Sequence, residues 1–291
     1  MTETSAFGRV RTLLEMIKFS HTVFAFPFAL MGATLAALKT GAPPGVGQIF
    51  WICMAMVGAR SGAMGLNRIL DAKIDAENPR TAGRHIPAGK VSTREAWLFV
   101  VSSFAVLLVA AWMLNPLCFY LSPVALFFLA LYSFCKRFTA LAHMVLGICL
   151  GAAPVGAWIA LRGDVSWQVV ALGLAVLLWV AGFDVFYALQ DVEFDREKGL
   201  HSIPVKLGVE RSLWLVRGFH AMMVFLLLLL LIGTGLGWIY LVGVLVVAGL
   251  LAYEHRLVRP DDLSKLDAAF FTMNGYVSVA IFLFTLVDAL V

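Results

Sequence analysis

The chain has 291 residues, 61% hydrophobic and only 14% charged, with a formal net charge of +4 and a mean hydropathy of +0.90. A soluble domain carries roughly a quarter charged residues, so this balance excludes a soluble globular protein, a disordered chain and a disulfide scaffold, and indicates an integral membrane protein. The four cysteines, Cys53, Cys118, Cys135 and Cys149, all lie in apolar runs without metal-ligand spacing and read as reduced packing residues.

In chain order, nine segments are apolar enough to cross a bilayer as helices, which takes roughly 20 residues each. They run approximately over 19–38, 48–70, 96–114, 116–135, 139–161, 166–190, 211–233, 236–254 and 268–290. The first is too long for a signal-peptide core, contains Pro27 and precedes further spans, so it reads as a retained helix. Continuously apolar runs exclude membrane strands, which alternate, and a helix satisfies its backbone groups within one segment. The fold class expected is all-α, a polytopic bundle.

Basic residues orient it. Arg9, Arg11 and Lys18, the five Lys and Arg of the connection 71–95, Lys136 and Arg137, the basic residues from Arg196 to Arg217, and Arg256, Arg259 and Lys265 all fall on one side. Only Lys39 and Arg162 fall on the other, while Arg60 and Arg68 lie inside the second span. The positive-inside rule places the first set in the cytoplasm. That puts the amino terminus in the cytoplasm and the carboxyl terminus outside, in a cell (inner) membrane. The two long connections, roughly 71–95 and 191–210, are then cytoplasmic and hold most of the polar chemistry, so the site is expected to face the cytoplasm.

The first of those connections opens as NRILDAKIDAEN (67–78), the second as QDVEFDREKG (190–199). Each carries D-x-x-x-D, Asp71 with Asp75 and Asp191 with Asp195, and each is followed by basic residues and an Ile-Pro pair, Ile86-Pro87 and Ile203-Pro204. This is an internal pseudo-repeat, which divides the single domain 1–291 into halves of approximately 1–138 and 139–291 and places a site between them. Carboxylates four apart on a helix repel, and a helix carboxyl end is already partly negative. Four of them together require compensation, for which Mg²⁺ ions holding a diphosphate are a fitting answer, since Mg²⁺ binds through one or two carboxylates plus substrate phosphates. One such motif alone is explained by a solvated helix end; two matched ones are not.

Other polar residues sit where membrane helices avoid them, and such residues are functional candidates because inserting them is costly. Arg60 lies seven residues before Asn67, Asp184 and Tyr187 precede Asp191 by seven and four, and Tyr132 precedes Lys136 by four. The plain alternative for Arg60 and Asp184 is an ion pair that serves packing. Gly58-x-x-x-Gly62 and Gly147-x-x-x-Gly151 read as close helix packing, and the Trp residues at 51, 97, 167, 214 and 238 as interfacial anchors. His21, His143 and His220 lack ligand spacing.

Together, N67-R-x-x-D71-x-x-x-D75, Y132-x-x-x-K136 and D184-x-x-Y187-x-x-x-D191-x-x-x-D195 resemble the UbiA superfamily of intramembrane aromatic prenyltransferases, over nearly the whole chain. KFSHTVFAFPFAL and NPRTAGRHIPAG resemble most its 4-hydroxybenzoate polyprenyltransferase branch, and also the relatives that prenylate a dihydroxynaphthoate in the futalosine route to menaquinone. The resemblance implies that Asn67, Asp71 and Asp75 help hold one Mg²⁺, and Asp191 and Asp195 another. It implies that Arg60, Lys136, Lys18 and Lys73 contact the diphosphate, and that Tyr132, Asp184 and Tyr187 line the reacting allylic carbon. Arg137 is assigned to the acceptor's carboxylate, which its planar fork matches. One departure stands out: many members have Asn-Asp where this chain has Asn67-Arg68.

The expected activity is Mg²⁺-dependent transfer of a polyprenyl group from its diphosphate to an aromatic acceptor, 4-hydroxybenzoate first and a dihydroxynaphthoate second, in quinone biosynthesis. The partners implied are those substrates and membrane lipid, with no nucleic acid and no obligate protein partner. Haem or chlorophyll prenylation and lipid-ether synthesis are the alternatives within the superfamily. A secondary transporter would place broken helices at mid-membrane rather than acidic clusters at its boundary, and the D-G-x-x-A-R signature of CDP-alcohol phosphotransferases is absent.

Overall fold

Each expected apolar span corresponds to a helix in the computed structural model, which describes residues 6–18, 25–259, 262–263, 266 and 272–291. In order these are α1 (Ala6–Met16), α2 (Phe26–Thr40), α3 (Val46–Leu70), α4 (Ala72–Glu77), α5 (Thr93–Leu114), α6 (Pro116–Cys135), α7 (Ala142–Arg162), α8 (Trp167–Ala188), a 3₁₀ turn (Leu189–Asp191), α9 (Val192–Glu197), α10 (Ile203–Leu207), α11 (Val209–Leu229), α12 (Trp238–Leu257) and α13 (Asn274–Leu290).

Among the described residues, seven helices are long and apolar enough to cross a membrane: α3, α5, α6, α7, α8 with its continuation to Glu197, α11 and α12. The chain is a multi-pass membrane protein. The expected first and ninth spans, 19–38 and 268–290, correspond to the shorter apolar helices α2 and α13; residues 19–24 and 267–271 lie outside the described residues. Pro27 falls in the first turn of α2, where its missing N–H leaves no bond unmade.

Local signals set the other boundaries. Ser92 and Glu95 form a reciprocal capping box at the start of α5, with Ser92 N–H donating to Glu95 at 2.9 Å. Asn115 caps α6 by accepting from Cys118 N–H at 2.9 Å, just ahead of Pro116 in the first turn.

The bundle is organised around α8. It packs against α7 and α11, with α2 laid on α7 and α5 on α3. Val169, Leu172, Val176, Trp179 and Phe183 of α8 are all buried in one core, together with residues from α2, α7, α11, α12 and α13. A helix with no polar face suits this extensive burial, although Val170 and Leu174 remain exposed. The glycine pairs make the close approaches expected of them. A Cβ at Gly58 would lie 2.6 Å from the Ser103 carbonyl oxygen, and one at Gly147 2.5 Å from that of Leu177. Trp97, Trp167, Trp214 and Trp238 are exposed near helix ends, whereas Trp51 is partly buried.

Candidate active site

Both acidic motifs straddle a break in a long helix. α3 ends at Leu70, Asp71 adopts φ −88°, ψ −2°, and α4 resumes directly. Helical hydrogen bonding nonetheless continues, with Asp75 N–H donating to the Asp71 carbonyl at 2.8 Å. At the second motif α8 tightens into the 3₁₀ turn ending at Asp191 before α9. Asp71 and Asp75 are only 2% and 4% exposed, which rules out a solvated boundary.

Their charges are met by basic side chains. Asp71 accepts from Lys136 Nζ at 2.6 Å, Asn67 Nδ2 at 3.0 Å and Arg137 Nη2 at 2.9 Å. Arg137 also donates to the carbonyls of Leu70 (2.9 Å) and Ser133 (2.6 Å). Asp75 Oδ1 accepts from Arg84 at 2.6 Å, while its Oδ2 is buried without a partner. Asp191 accepts from Asn78 Nδ2 at 3.0 Å and from both Nε (2.9 Å) and Nη2 of Arg80. Arg80 also donates to Tyr187 Oη at 2.8 Å, with its guanidinium 5.1 Å from that ring's centre. Burial pushes the Arg80 guanidinium's pKa down, but its bonds and charge contacts with Asp191 and Tyr187 outweigh this and hold it above the usual arginine value. Asn78 and Arg80 thus carry the first connection across to the second acidic motif. Half-buried Asp195 makes no side-chain hydrogen bond or ion pair among the described residues.

The compensation that the acids require comes in part from Lys136, Arg137, Arg84 and Arg80. The oxygen donors still fit a hard divalent ion. The orphaned Asp75 Oδ2 and the unpaired Asp195 carboxylate are suitable ligands. No group of three or more His, Cys, Asp or Glu among the described residues is close enough to hold a metal. A site of this kind matches an ion that completes its shell with water and substrate phosphate.

The Arg60–Asp184 ion pair, the plain alternative to a functional role, does not form. Asp184 instead accepts from His143 Nδ1 at 2.7 Å, and His143 Nε2 accepts from Ile203 N–H at 3.3 Å, which assigns the ring proton to Nδ1. Arg60 Nη2 donates to the Lys18 carbonyl at 3.3 Å, and its Nε is buried without a partner. Arg60 and Tyr132 line a partly open cavity of about 420 Å³ bordered by α3, α5, α6 and α7. Its walls are otherwise mostly aliphatic and aromatic. Along α6 they run from Cys118 to Tyr132, a rise of about 21 Å. The structure thus gathers Asn67, Asp71, Lys136 and Arg137 at one cluster, and Tyr187 and Asp191 at another. Lys73 is exposed and makes no ion pair among the described residues, and the Lys18 side chain is exposed.

Sequence reasoning passed over Asn78, Arg80, Arg84 and His143 as site residues. Arg80 and Arg84 carried a signal, a basic loop directly behind the first motif; His143 carried none beyond lying in an apolar run.

The model of a family described as the UbiA prenyltransferase family matches residues 25–276. A 4-hydroxybenzoate octaprenyltransferase of Citrobacter koseri is 33% identical over 259 residues, covering 87% of this chain and 88% of that relative. One from Vibrio campbellii is 34% identical over 228 residues, covering 76% and 78%. The apo structure of a UbiA homologue from Aeropyrum pernix K1 superimposes with a TM-score of 0.83 at 35% identity, covering 92% of this chain and 98% of that one. A UbiA homologue from Archaeoglobus fulgidus, solved with GPP and Mg²⁺, shares the fold with a TM-score of 0.72 at 18% identity, covering 96% and 100%.

Proposed function

The chain belongs to the UbiA prenyltransferase family, and from that premise we propose that it transfers a polyprenyl group from polyprenyl diphosphate to 4-hydroxybenzoate. The observation that carries this reading is the junction of two environments: a long apolar cavity beginning at Arg60 and Tyr132, and a paired set of carboxylates and guanidiniums beside it.

In this reading the cavity takes the polyprenyl tail, and the polar end takes the diphosphate. Asn67, Asp71 and Asp75 would hold one Mg²⁺ and Asp191 and Asp195 another, which when bound would supply positive charge toward the departing diphosphate. Lys136, Arg80 and Arg84, which bond the carboxylates, are placed to turn to the phosphate oxygens. As the allylic C–O bond breaks, its electron pair leaves with the diphosphate. The ring carbon ortho to the acceptor's phenol then bonds to the allylic carbon, and the ring loses a proton. Tyr132, Tyr187 and Asp184 stabilise the allylic cation through ring faces and charge; His143 holds Asp184 in place. For the acceptor's carboxylate, Arg60 is a better reader than Arg137, whose guanidinium already serves Asp71, Leu70 and Ser133, whereas Arg60 presents an unspent buried donor at the cavity wall.

With α2 and α13 counted as crossings the bundle has nine spans. The amino terminus and the acidic motifs then lie on the cytoplasmic side of the cell (inner) membrane, and the pseudo-repeat halves 1–138 and 139–291 meet at the site.

Membranes containing the protein, supplied with radiolabelled octaprenyl diphosphate, are expected to label 4-hydroxybenzoate in the presence of Mg²⁺ and not after chelation. Labelling of a dihydroxynaphthoate alone would move the assignment to the menaquinone route, and chelator-resistant transfer would refute the metal assignment.

The cavity's role has its own test. A Cβ at Gly156, on the cavity wall, meets nothing within 4 Å, so Gly156→Trp fills space without displacing backbone. The variant should lose most transfer from octaprenyl diphosphate, about tenfold or more, and keep transfer from geranyl diphosphate. Equal loss with both donors would place the tail elsewhere.

A further inference from the structure

Arg68, where this chain departs from the usual Asn-Asp pattern, lies on the last turn of α3 and is only 7% exposed. Its Nε donates to the Met16 carbonyl at 3.4 Å. Among the described residues Nη1 and Nη2 make no hydrogen bond. Its charged and titratable neighbours include Arg84, Asp75, Tyr187 and Tyr132, which frame the site, together with Arg60 and His85. Asp75 Oδ1 is already taken by Arg84. Two guanidiniums therefore share one carboxylate, and one of them has a single long hydrogen bond for its five donors. A buried cation in that condition is costly unless an anion meets it.

We infer that Arg68 binds the diphosphate of the prenyl donor directly through Nη1 and Nη2, with Arg84 as the second cation of the same anion site. The planar fork of arginine matches phosphate oxygens in pairs. Where the usual motif has an acid, this chain places donors that meet the anion themselves. The inference rests on the reading of a prenyl diphosphate as substrate.

The alternative task for Arg68 is to fasten α1 to α3 through Met16. Met16 and Ile17 pack with Val91 and Ala96, and Leu13 lies against that cluster. Leu13→Ala loosens the same docking without touching the guanidinium, and so separates the two roles.

The full-length protein in lipid nanodiscs is compared as wild type, Arg68→Gln, Arg68→Lys and Leu13→Ala. The readouts are KM for octaprenyl diphosphate, KM for the aromatic acceptor, and the affinity for inorganic pyrophosphate by calorimetry. Arg68→Gln should raise donor KM and weaken pyrophosphate binding by at least about tenfold, the worth of a charge-assisted hydrogen bond, with acceptor KM unchanged. Arg68→Lys should fall between it and wild type, and Leu13→Ala should match wild type. Wild-type donor KM and pyrophosphate affinity in Arg68→Gln, or the same losses in Leu13→Ala, would overturn the assignment. Should Arg68→Gln fail to accumulate, equal pyrophosphate affinity in Arg68→Lys and wild type overturns it. A wild-type protein that neither transfers prenyl groups nor binds pyrophosphate would instead defeat the substrate reading itself.

Discussion

Asp71→Asn and Asp191→Asn are each expected to reduce prenyl transfer by at least about a thousandfold, the scale of several kcal/mol of lost transition-state stabilisation. Asparagine preserves shape and can still accept one hydrogen bond, but it removes the charge that Lys136, Arg137 and Arg80 converge on. The alanine variants should be equally inactive and less stable, because Asp71→Ala leaves two largely enclosed cations without their shared counter-ion. Transfer from labelled polyprenyl diphosphate, normalised to the amount of protein in the membrane, is the measurement. Wild-type transfer by either asparagine variant would remove that carboxylate from the mechanism.

The second large effect concerns the fold. Gly147→Leu should prevent accumulation in the membrane or lower the melting temperature in detergent by about 10 °C or more, beyond the ~1–3 kcal/mol of ordinary overpacking. The obstacle is the Leu177 carbonyl of α8, 2.5 Å from where a Cβ would lie. Backbone in the middle of a helix packed between α7 and α11 has nowhere to retreat. Gly156→Leu on the same helix, where nothing lies within 4 Å, is the matched control and should keep near wild-type stability. Equal stability of the two variants would show that the α7–α8 contact tolerates a side chain.

The helices were legible because their apolar runs are long; the caps at their ends, Ser92 with Glu95 and Asn115 before Pro116, were not read, and the third span was expected to begin at 96 rather than at Thr93. Misjudged ends have local causes. The seventh span was expected to run to residue 233, but α11 stops at Leu229 because the turn needs Gly233 and Gly235 at φ 78° and 82°, while the apolar residues 230–232 hide that turn from a hydropathy reading. The acids of the candidate site were legible from spacing, since two like-charged pairs at helix ends demand an explanation. Their partners were not. Arg80 meets Asp191 across 111 residues of sequence, and His143 meets Asp184 across 41; nothing local in either stretch reports such a pairing. The packing alternative, an Arg60–Asp184 pair, is absent because Arg60 on α3 borders the cavity, whereas Asp184 on α8 meets α7.

The His143–Asp184 bond also bears on how this protein is made. An unaccompanied carboxylate in an apolar helix resists insertion into the bilayer. Asp184 stands on α8, its partner stands on α7, and only residues 163–166 separate the two helices. The acid and its proton donor therefore belong to one helical hairpin. During biogenesis that hairpin can mask its own charge as it enters the membrane, before any other helix of the bundle has arrived.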